Sequence, residues 1–242
     1  MSKSSADIVN QLQAEINSIQ GYKPAEAGVR RMGLGAVEAA FPNGVFPEAG
    51  IHEFITTCRE GSAASEGFIA ALLAKLLSKG GVAIWVSISH ALFPPALAGY
   101  GVQPDRIVFI NVGRLKDALW VTEEALKCEG VSAVISEIRD LGFTESLRLQ
   151  HAVEQSRITG FILRKSPRAI GSAACCARWK ITPQPSRSVA GMPGIGYRRW
   201  NVALDKVRNG QPGNWLVEWT DNGLQVVQQE NRIVSEERRN VG

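Results

Sequence analysis

Hydrophobic and polar residues follow two patterns along the first two thirds of the chain. Short continuous apolar runs alternate with stretches in which apolar residues recur every three or four positions. The runs are typical of buried strands, and the stretches are typical of helices with one buried face. We therefore predict strands at 51–55, 82–88, 107–110, 133–138 and 160–163, and helices around 68–77, 95–99, 115–128 and 144–156. This alternation indicates a mostly parallel sheet with right-handed crossovers.

The pattern changes after Ser166. Four short stretches with strand character, at 178–182, 199–207, 215–219 and 224–227, are separated by turns rich in proline and glycine. Asn209-Gly210 is a hairpin signal between two of them. The sequence therefore predicts an α/β fold with an antiparallel extension, from about residue 170, on the edge of the parallel sheet.

A separate apolar stripe lies near the beginning of the chain. Ile8, Leu12, Ile16 and Ile19 share one face at helical spacing, and Gly21 follows as a stop signal. This helix packs either on its own core or on a neighbouring chain. We predict three regions: a docking helix with its linker at 1–30, a core with its β extension at 31–228, and a charged, flexible tail at 229–242.

Composition sets limits on the class of protein. An apolar content of 45% and a charged content of 21% suit a packed domain. No apolar run reaches the roughly 18 residues that a membrane helix needs, and the polar N-terminus does not resemble a signal peptide. We expect a cytoplasmic protein without membrane contact. The 4 cysteines lack CxxC spacing and only 3 histidines are present, so we predict reduced thiols and no metal site.

The net charge of +4 is unevenly distributed. Residues 139–210 contain 13 Lys and Arg but only 4 Asp and Glu, so the rest of the chain is net acidic. A basic second half indicates a polyanion or an acidic protein surface as partner, or simply a solubilising surface. Composition leaves these alternatives open.

The segment after the first predicted strand has the setting of a phosphate-binding loop, which needs the pattern GxxxxGK[ST]. Thr56 stands where the first glycine is expected, and Gly61 keeps the second. Ser62 replaces the phosphate-binding lysine, and Ala63 replaces the hydroxyl residue that ligates magnesium. Glu60 adds a negative charge. We predict a degenerate loop, no catalytic residue and no ordinary ATP hydrolysis.

Three segments resemble, in their order, the RecA core: Leu34-Gly-Ala-Val-Glu-Ala-Ala-Phe, the stretch at 44–55 and the loop just described. A further stretch from Ser89 is similar to the one that carries RecA's catalytic glutamate, and Ser89 stands where that glutamate is expected. The strand that would end in a magnesium-orienting aspartate ends in Glu137. The resemblance implies a RecA-like, mostly parallel sheet flanked by helices, and the losses imply no enzyme activity and no cofactor.

A closer resemblance is to the ImuA family, RecA-like proteins without a working ATPase. It rests on Arg178-Trp-Lys-Ile and on the long block that begins Pro193-Gly-Ile-Gly-Tyr-Arg-Arg-Trp and runs to residue 219. This resemblance implies a non-catalytic adaptor in SOS-induced, error-prone translesion DNA synthesis. The implied partners are RecA and the polymerase-like ImuB, with the C-terminal part as the place of ImuB contact.

The resemblance also suggests roles for two sets of residues. The stripe of Ile8, Leu12, Ile16 and Ile19 corresponds to the RecA helix that docks on the adjacent protomer, which implies docking on RecA or self-association. Weak DNA contact is the second expectation, and its candidate residues are Arg164, Lys165, Arg168, Arg198 and Arg199. Cations interleaved with aromatics can hold a phosphate backbone, but they can equally lie along strand faces with Trp179 and Trp200 in the core.

Two other functions fit parts of the sequence. A SulA-like inhibitor of the tubulin-like division protein would also be RecA-like and lack ATPase residues, although it would be smaller and would not need the basic β extension. An active nucleotide-binding enzyme with an unusual loop is the third hypothesis. His52 and His90 have no nucleophile motif beside them, and we interpret both as structural.

Overall fold

The computed structural model describes residues 12, 32–89, 92–188, 194 and 196–227. The strands are β1 Ile51–Thr56, β2 Val82–Ser87, β3 Ile107–Asn111, β4 Val131–Glu137, β5 Thr159–Lys165, β6 Ala177–Arg187, β7 Tyr197–Val207, β8 Gly213–Thr220 and β9 Gly223–Val227. The α-helices are α1 Arg59–Leu76, α2 Leu115–Ala125 and α3 Phe143–Ser156. Short 3-10 helices span Gly35–Ala40, Pro42–Gly44, Leu77–Lys79, Pro94–Tyr100 and Pro104–Arg106. Among these described helices, none is both long enough and apolar enough to cross a membrane.

The nine strands of the described residues form one sheet in the order β3-β2-β4-β5-β1-β6-β7-β8-β9. The strands from β3 to β6 in this order are parallel neighbours, and β6 to β9 are antiparallel. Thr56 pairs with Lys165, so β1 and β5 end side by side. The predicted fold class, a mostly parallel α/β sheet with an antiparallel extension at its C-terminal edge, is confirmed.

The hydrophobic core lies on both faces of this sheet. On one face α1 packs on an aromatic cluster in which Phe54 and Trp179 stack with ring centroids 5.7 Å apart. On the other face α2 and α3 cover aliphatic residues such as Ile51 and Ile162. The predicted apolar face of α1 is buried, because this helix lies between the parallel sheet and the segment at 94–100. Trp179 and Trp200 are core residues, which confirms the structural alternative for both.

Several element boundaries differ from the prediction, and α1 begins at Arg59, well before the predicted apolar face at 68–77. β6 continues to Arg187 through Pro183 and Pro185, whereas the sequence predicted an end at residue 182. Only the beginning of β6 pairs with β1. Among the described strands, none lies beside the other edge of its later part, so the amide donors that the prolines lack are not needed on that edge. The helix predicted to reach residue 128 ends at Ala125, with Leu126 as its cap.

Candidate functional site

The connection between β1 and α1 is short and closed by its own hydrogen bonds. α1 begins at Arg59, two residues before Gly61. Thr56 Oγ1 donates to the Cys58 carbonyl at 2.9 Å, and the Gly61 amide donates to Cys58 Sγ at 3.4 Å. The Ser62 amide donates to the Cys58 carbonyl at 3.0 Å. The amides of Gly61 and Ser62 are therefore used inside the turn, where a phosphate loop would direct such amides at its ligand.

Gly61 is the one residue of the phosphate pattern that the loop keeps, and its surroundings give it a different role. A Cβ atom at this position would lie 2.7 Å from Thr56 Oγ1 and 3.3 Å from Cys58 Sγ. The glycine is required by the close approach of these two side chains. Ala63, at the position of the magnesium-binding hydroxyl, is exposed on α1.

A lysine does stand beside this loop, but it comes from a different strand. Lys165 is the last residue of β5, and its Nζ lies 2.9 Å from Glu66 Oε1 and 3.0 Å from Glu137 Oε1. Glu66 is on the second turn of α1, and Glu137 is the last residue of β4. The lysine is thus bound between two carboxylates of its own chain.

Two serines extend this arrangement. Ser62 Oγ donates to Glu66 Oε1 at 3.2 Å, and Ser89 Oγ donates to Glu137 Oε2 at 2.6 Å. The five residues Ser62, Glu66, Lys165, Glu137 and Ser89, here called the Lys165 network, join the carboxyl ends of β4 and β5 and the segment after β2 to the first turns of α1. The network brings together three predicted loop positions and one predicted DNA-contact residue.

Glu137 and Lys165 stabilise each other's charged forms. Burial acts to raise the pKa of Glu137, but the hydrogen bond from Ser89 and the charge of Lys165 outweigh it, so the pKa is lowered. Burial acts to lower the pKa of Lys165, but hydrogen bonds and charge from Glu66 and Glu137 outweigh it, so the pKa is raised. One lysine between two carboxylates gives the network a negative charge, which is unfavourable for a phosphate.

Glu66 was not predicted from the sequence. It lies four residues after Ser62, so both side chains share one face of α1, and this spacing is the signal that could have found it. Lys165 was predicted, but as a DNA-contact residue. The structure places it in the network because β5 lies directly beside β1.

Arg164 is enclosed in a second group of charges. Its side chain is 2% exposed, and its Nη1 lies 2.5 Å from Glu53 Oε1. Arg178 Nε lies 2.6 Å from the other oxygen of Glu53, whose side chain is fully buried. These three residues form a buried triad on the α2–α3 face of the sheet, and the Arg164 guanidinium does not face solvent.

The other predicted DNA-contact cations divide into two groups. Arg199 is bound with Arg187 to the buried Glu218 carboxylate. Arg198 and Arg168 are exposed. Arg198 lies over the Tyr100 ring at 5.2 Å, and Arg168 lies 3.6 Å from an aspartate. Two cations of the predicted set therefore present their charge to solvent.

His52 is a neutral core residue. Its Nε2 donates to the Pro47 carbonyl at 2.8 Å, and its Nδ1 accepts from Trp179 Nε1 at 3.2 Å. Burial lowers the pKa of His52 to about 4. With both ring nitrogens bonded and no charge at neutral pH, the histidine serves packing.

Some predicted positions lie outside the described residues. These are Ile8, Ile16 and Ile19 of the N-terminal stripe, the tail at 229–242, and His90. Leu12 is described; it is helical and 52% exposed.

The sheet order, the helix after the first strand and the loop at its carboxyl end define an α/β protein of the RecA and KaiC type. The crystal structure of a KaiC-like protein from the hyperthermophilic archaeon Pyrococcus horikoshii matches with a TM-score of 0.55, over 83% of this chain and 100% of that one. At 14% identity this likeness shows the fold alone.

Sequence relatives identify the family. Protein ImuA of Caulobacter vibrioides is 31% identical over 216 residues, which cover 82% of this chain and 88% of the relative, and the same match is found in two strains. The chain belongs to the ImuA family. No family model matches the sequence.

Proposed function

We propose that the protein is a non-catalytic, RecA-like adaptor in SOS-induced, error-prone translesion DNA synthesis, and that it binds RecA and a polymerase-like ImuB protein. Membership of the ImuA family supports a role in the SOS mutagenesis system, and it favours this function over that of a SulA-like division inhibitor. The observation that carries the non-catalytic part is the position of Lys165 between Glu66 and Glu137.

A triphosphate site needs three things: free amide donors in an open loop, an unpaired cation, and a hydroxyl for magnesium. In this chain the amides of Gly61 and Ser62 are bonded within the turn. The lysine beside the loop, Lys165, is already paired with two carboxylates, and Ala63 has no hydroxyl. Arg59 at the start of α1 is a second, exposed cation. The bonded amides of Gly61 and Ser62, the paired Lys165 and the missing hydroxyl at Ala63 together support an adaptor that works without nucleotide.

The same network offers a reason why the frame of the site is retained. It connects the carboxyl ends of β4 and β5 with α1 around the position of the phosphate loop. An internal ion network can hold these elements in one arrangement whether or not nucleotide is present. An adaptor benefits from such a fixed scaffold, because fixed surfaces lose less entropy on binding.

In this proposal the N-terminal stripe docks on RecA, and the far edge of the sheet, with the antiparallel extension, holds ImuB. The exposed Arg168 and Arg198 support weak, sequence-independent DNA contact at most, because the other predicted cations are bound in ion pairs.

The experiment is a pull-down with purified RecA and ImuB, using the full chain and a variant that lacks residues 1–21. We expect the full chain to retain both partners, with ImuB held equally with and without ATP, and the deletion to lose RecA while it keeps ImuB. RecA binding that survives the deletion would contradict the docking assignment. Binding of ImuB that requires ATP would contradict a nucleotide-independent adaptor.

A further inference from the structure

The strand β3 lies at one edge of the sheet. Among the described elements, β2 is the only strand beside it, and the pairing of β2 with β3 runs without a bulge. β3 contains no charged residue and no proline. Natural proteins usually protect an edge strand with such features, because an unprotected edge pairs with strands of other chains. The composition of β3 therefore indicates an edge that is used for pairing.

The backbone groups at the free edge of β3 can be assigned from its pairing with β2. Successive residues of a strand direct their amide and carbonyl groups to opposite sides. The Val112 amide, directly after β3, donates to the last carbonyl of β2 at 3.0 Å. Phe109 and Asn111 therefore direct both backbone groups to the free edge, and so does Ile107. The Ile107 amide already donates to the Pro104 carbonyl, so only its carbonyl is free.

These free groups complement a second copy of the same strand. In an antiparallel pair centred on Phe109, the two Phe109 residues exchange both of their hydrogen bonds. The Asn111 amide of each copy then donates to the Ile107 carbonyl of the other copy. The Asn111 carbonyl faces water at the end of the ladder, because the Ile107 amide is bonded within its own chain. Both free amides of the edge thus find an acceptor in an identical strand.

The same pairing covers the most exposed apolar side chain of β3. Val108 is 49% exposed and shares a face of the sheet with Ile110, which packs on the aliphatic core under α2 and α3. In the pair centred on Phe109, Val108 of one copy lies opposite Ile110 of the other. This is a position without hydrogen bonds, where side chains are closest, and two β-branched residues suit it. The contact occurs once on each side of the two-fold axis.

The charges at the two ends of β3 favour the antiparallel orientation. Asp105, two residues before β3, is exposed, whereas Arg106 donates to backbone carbonyls of its own chain. Residues 114–117, after β3, contain two cations and one acid, and this end is net positive. Arg114 is 85% exposed, and its contact with Asp117, at 3.6 Å on the surface, is a weak one. An antiparallel pair places Asp105 beside the positive end of the other copy, whereas a parallel pair places like ends together.

We propose that two copies of the chain pair through β3, in an antiparallel arrangement with a two-fold axis at Phe109, so that the sheet continues from one copy into the other. An extended segment of another protein could also bond the edge amides. The match of Val108 with Ile110 and of the two charged ends, however, follows from an identical strand. This goes beyond the proposed adaptor function, because a dimer presents each partner-binding surface twice.

The first test is sedimentation equilibrium of the full-length protein at increasing concentration. Asn111→Pro removes an outward amide at an exposed edge position, where proline is tolerated, and Asn111→Ala is its control because it keeps the amide. Val108→Lys places a charge on the edge. Val82→Lys is its control, because Val82 is 36% exposed but lies on β2, which has a strand on each side. Circular dichroism and urea unfolding establish that each variant is folded.

We expect a dimer with a dissociation constant of roughly micromolar order, since a single short strand pair is a small interface. Asn111→Pro and Val108→Lys should each weaken it about tenfold or more, while both controls stay within about twofold of the original protein. The proposal is overturned if the protein is monomeric up to about 0.2 mM, or if edge and control variants behave alike. It is also overturned if deletion of residues 1–21 abolishes a dimer that the edge variants keep, or if a dimer forms only after that deletion.

Disulfide cross-linking tests the register of the pair. The background is Cys58→Ser with Cys128→Ser, which removes the two exposed thiols. A mixture of Val108→Cys copies and Ile110→Cys copies should form an intermolecular disulfide on mild oxidation, because the two positions face each other. Either variant alone should form little, because like positions are then more than about 7 Å apart. No cross-link in the mixture, or an equal one in a single variant, contradicts this pairing. None of these assays uses ATP, RecA or ImuB, so their outcome is independent of the proposed function.

Discussion

Replacing Lys165 with methionine removes the cation from the Lys165 network and keeps a side chain of similar length. The Glu137 side chain is 5% exposed and that of Glu66 is 16% exposed, so two carboxylates are left close together and largely out of water. Breaking a buried ion pair costs about 3–5 kcal/mol. Because the Lys165 side chain is 25% exposed, water offsets part of this, and we expect a loss of about 2–3 kcal/mol in the free energy of unfolding.

The assay is urea unfolding followed by tryptophan fluorescence and circular dichroism at neutral pH. Lys127 provides a matched control, because it also lies between two glutamates, 3.2 Å from Glu123 and 2.9 Å from Glu124, but on the surface. Lys127→Met should leave the unfolding midpoint unchanged within error, since exposed ion pairs contribute little. The triple variant Glu66→Gln, Glu137→Gln, Lys165→Met should recover most of the stability, because it removes the unpaired charges.

The pH dependence gives a second check with a defined sign. The pKa of Glu137 is lowered in the folded protein, so its contribution to stability is present above the unfolded value of about 4.3 and is lost as the pH falls through the folded pKa. Without Lys165, burial raises that pKa, and the folded variant takes up a proton at higher pH. The stability difference between the two proteins should therefore narrow as the pH falls toward about 4. A loss below about 0.5 kcal/mol at neutral pH, or a loss equal to that of Lys127→Met, would refute the reasoning.

Three further predictions concern other parts of the core. Glu53→Gln leaves two buried arginines without their carboxylate and should destabilise by about 3–5 kcal/mol in urea unfolding; a change under about 1 kcal/mol would contradict the buried triad. The pKa of His52 is about 4 in the folded protein and 6.5 for an unburied histidine, so the free energy of unfolding should fall by about 3 kcal/mol as the pH drops from about 6.5 to about 4. The variant His52→Gln should lack this dependence of stability on pH. Cys58 and Cys128 are exposed and the other two cysteines are buried. The double variant Cys58→Ser, Cys128→Ser should therefore show no thiol labelling when folded and should be labelled in urea. Prompt labelling of the folded double variant would contradict the burial of the other two cysteines.

The parallel half of the fold follows from the sequence because its signals are local. Apolar runs such as 82–88 have the length and composition of strands buried on both faces, and the helix between the first two strands has a continuous apolar face. The end of β6 could not be predicted in this way. Pro183 and Pro185 interrupt strands in general, and only the pairing of β6 with the shorter β1 explains why they are tolerated.

The candidate site, like the fold, could be predicted from the sequence only in part. The losses at Ser62 and Ala63 are visible in the sequence, since they are departures from a pattern with fixed spacing. The position of Lys165 depends on β5 lying beside β1, which is a property of the strand order and not of neighbouring residues. The burial of Arg164 had a local signal: it lies two residues after Ile162 in the same strand and so shares the face of Ile162.

The central claim is that groups of the protein itself bind Lys165 and the amides of Gly61 and Ser62 at the position of the phosphate site. The most direct measurement is isothermal titration of the full-length protein with ATP and magnesium, together with assay of phosphate release. The account predicts no binding up to millimolar ATP and no release, and the same result for Lys165→Met. Micromolar affinity that disappears in Lys165→Met would contradict the account, because Lys165 would then be binding phosphate.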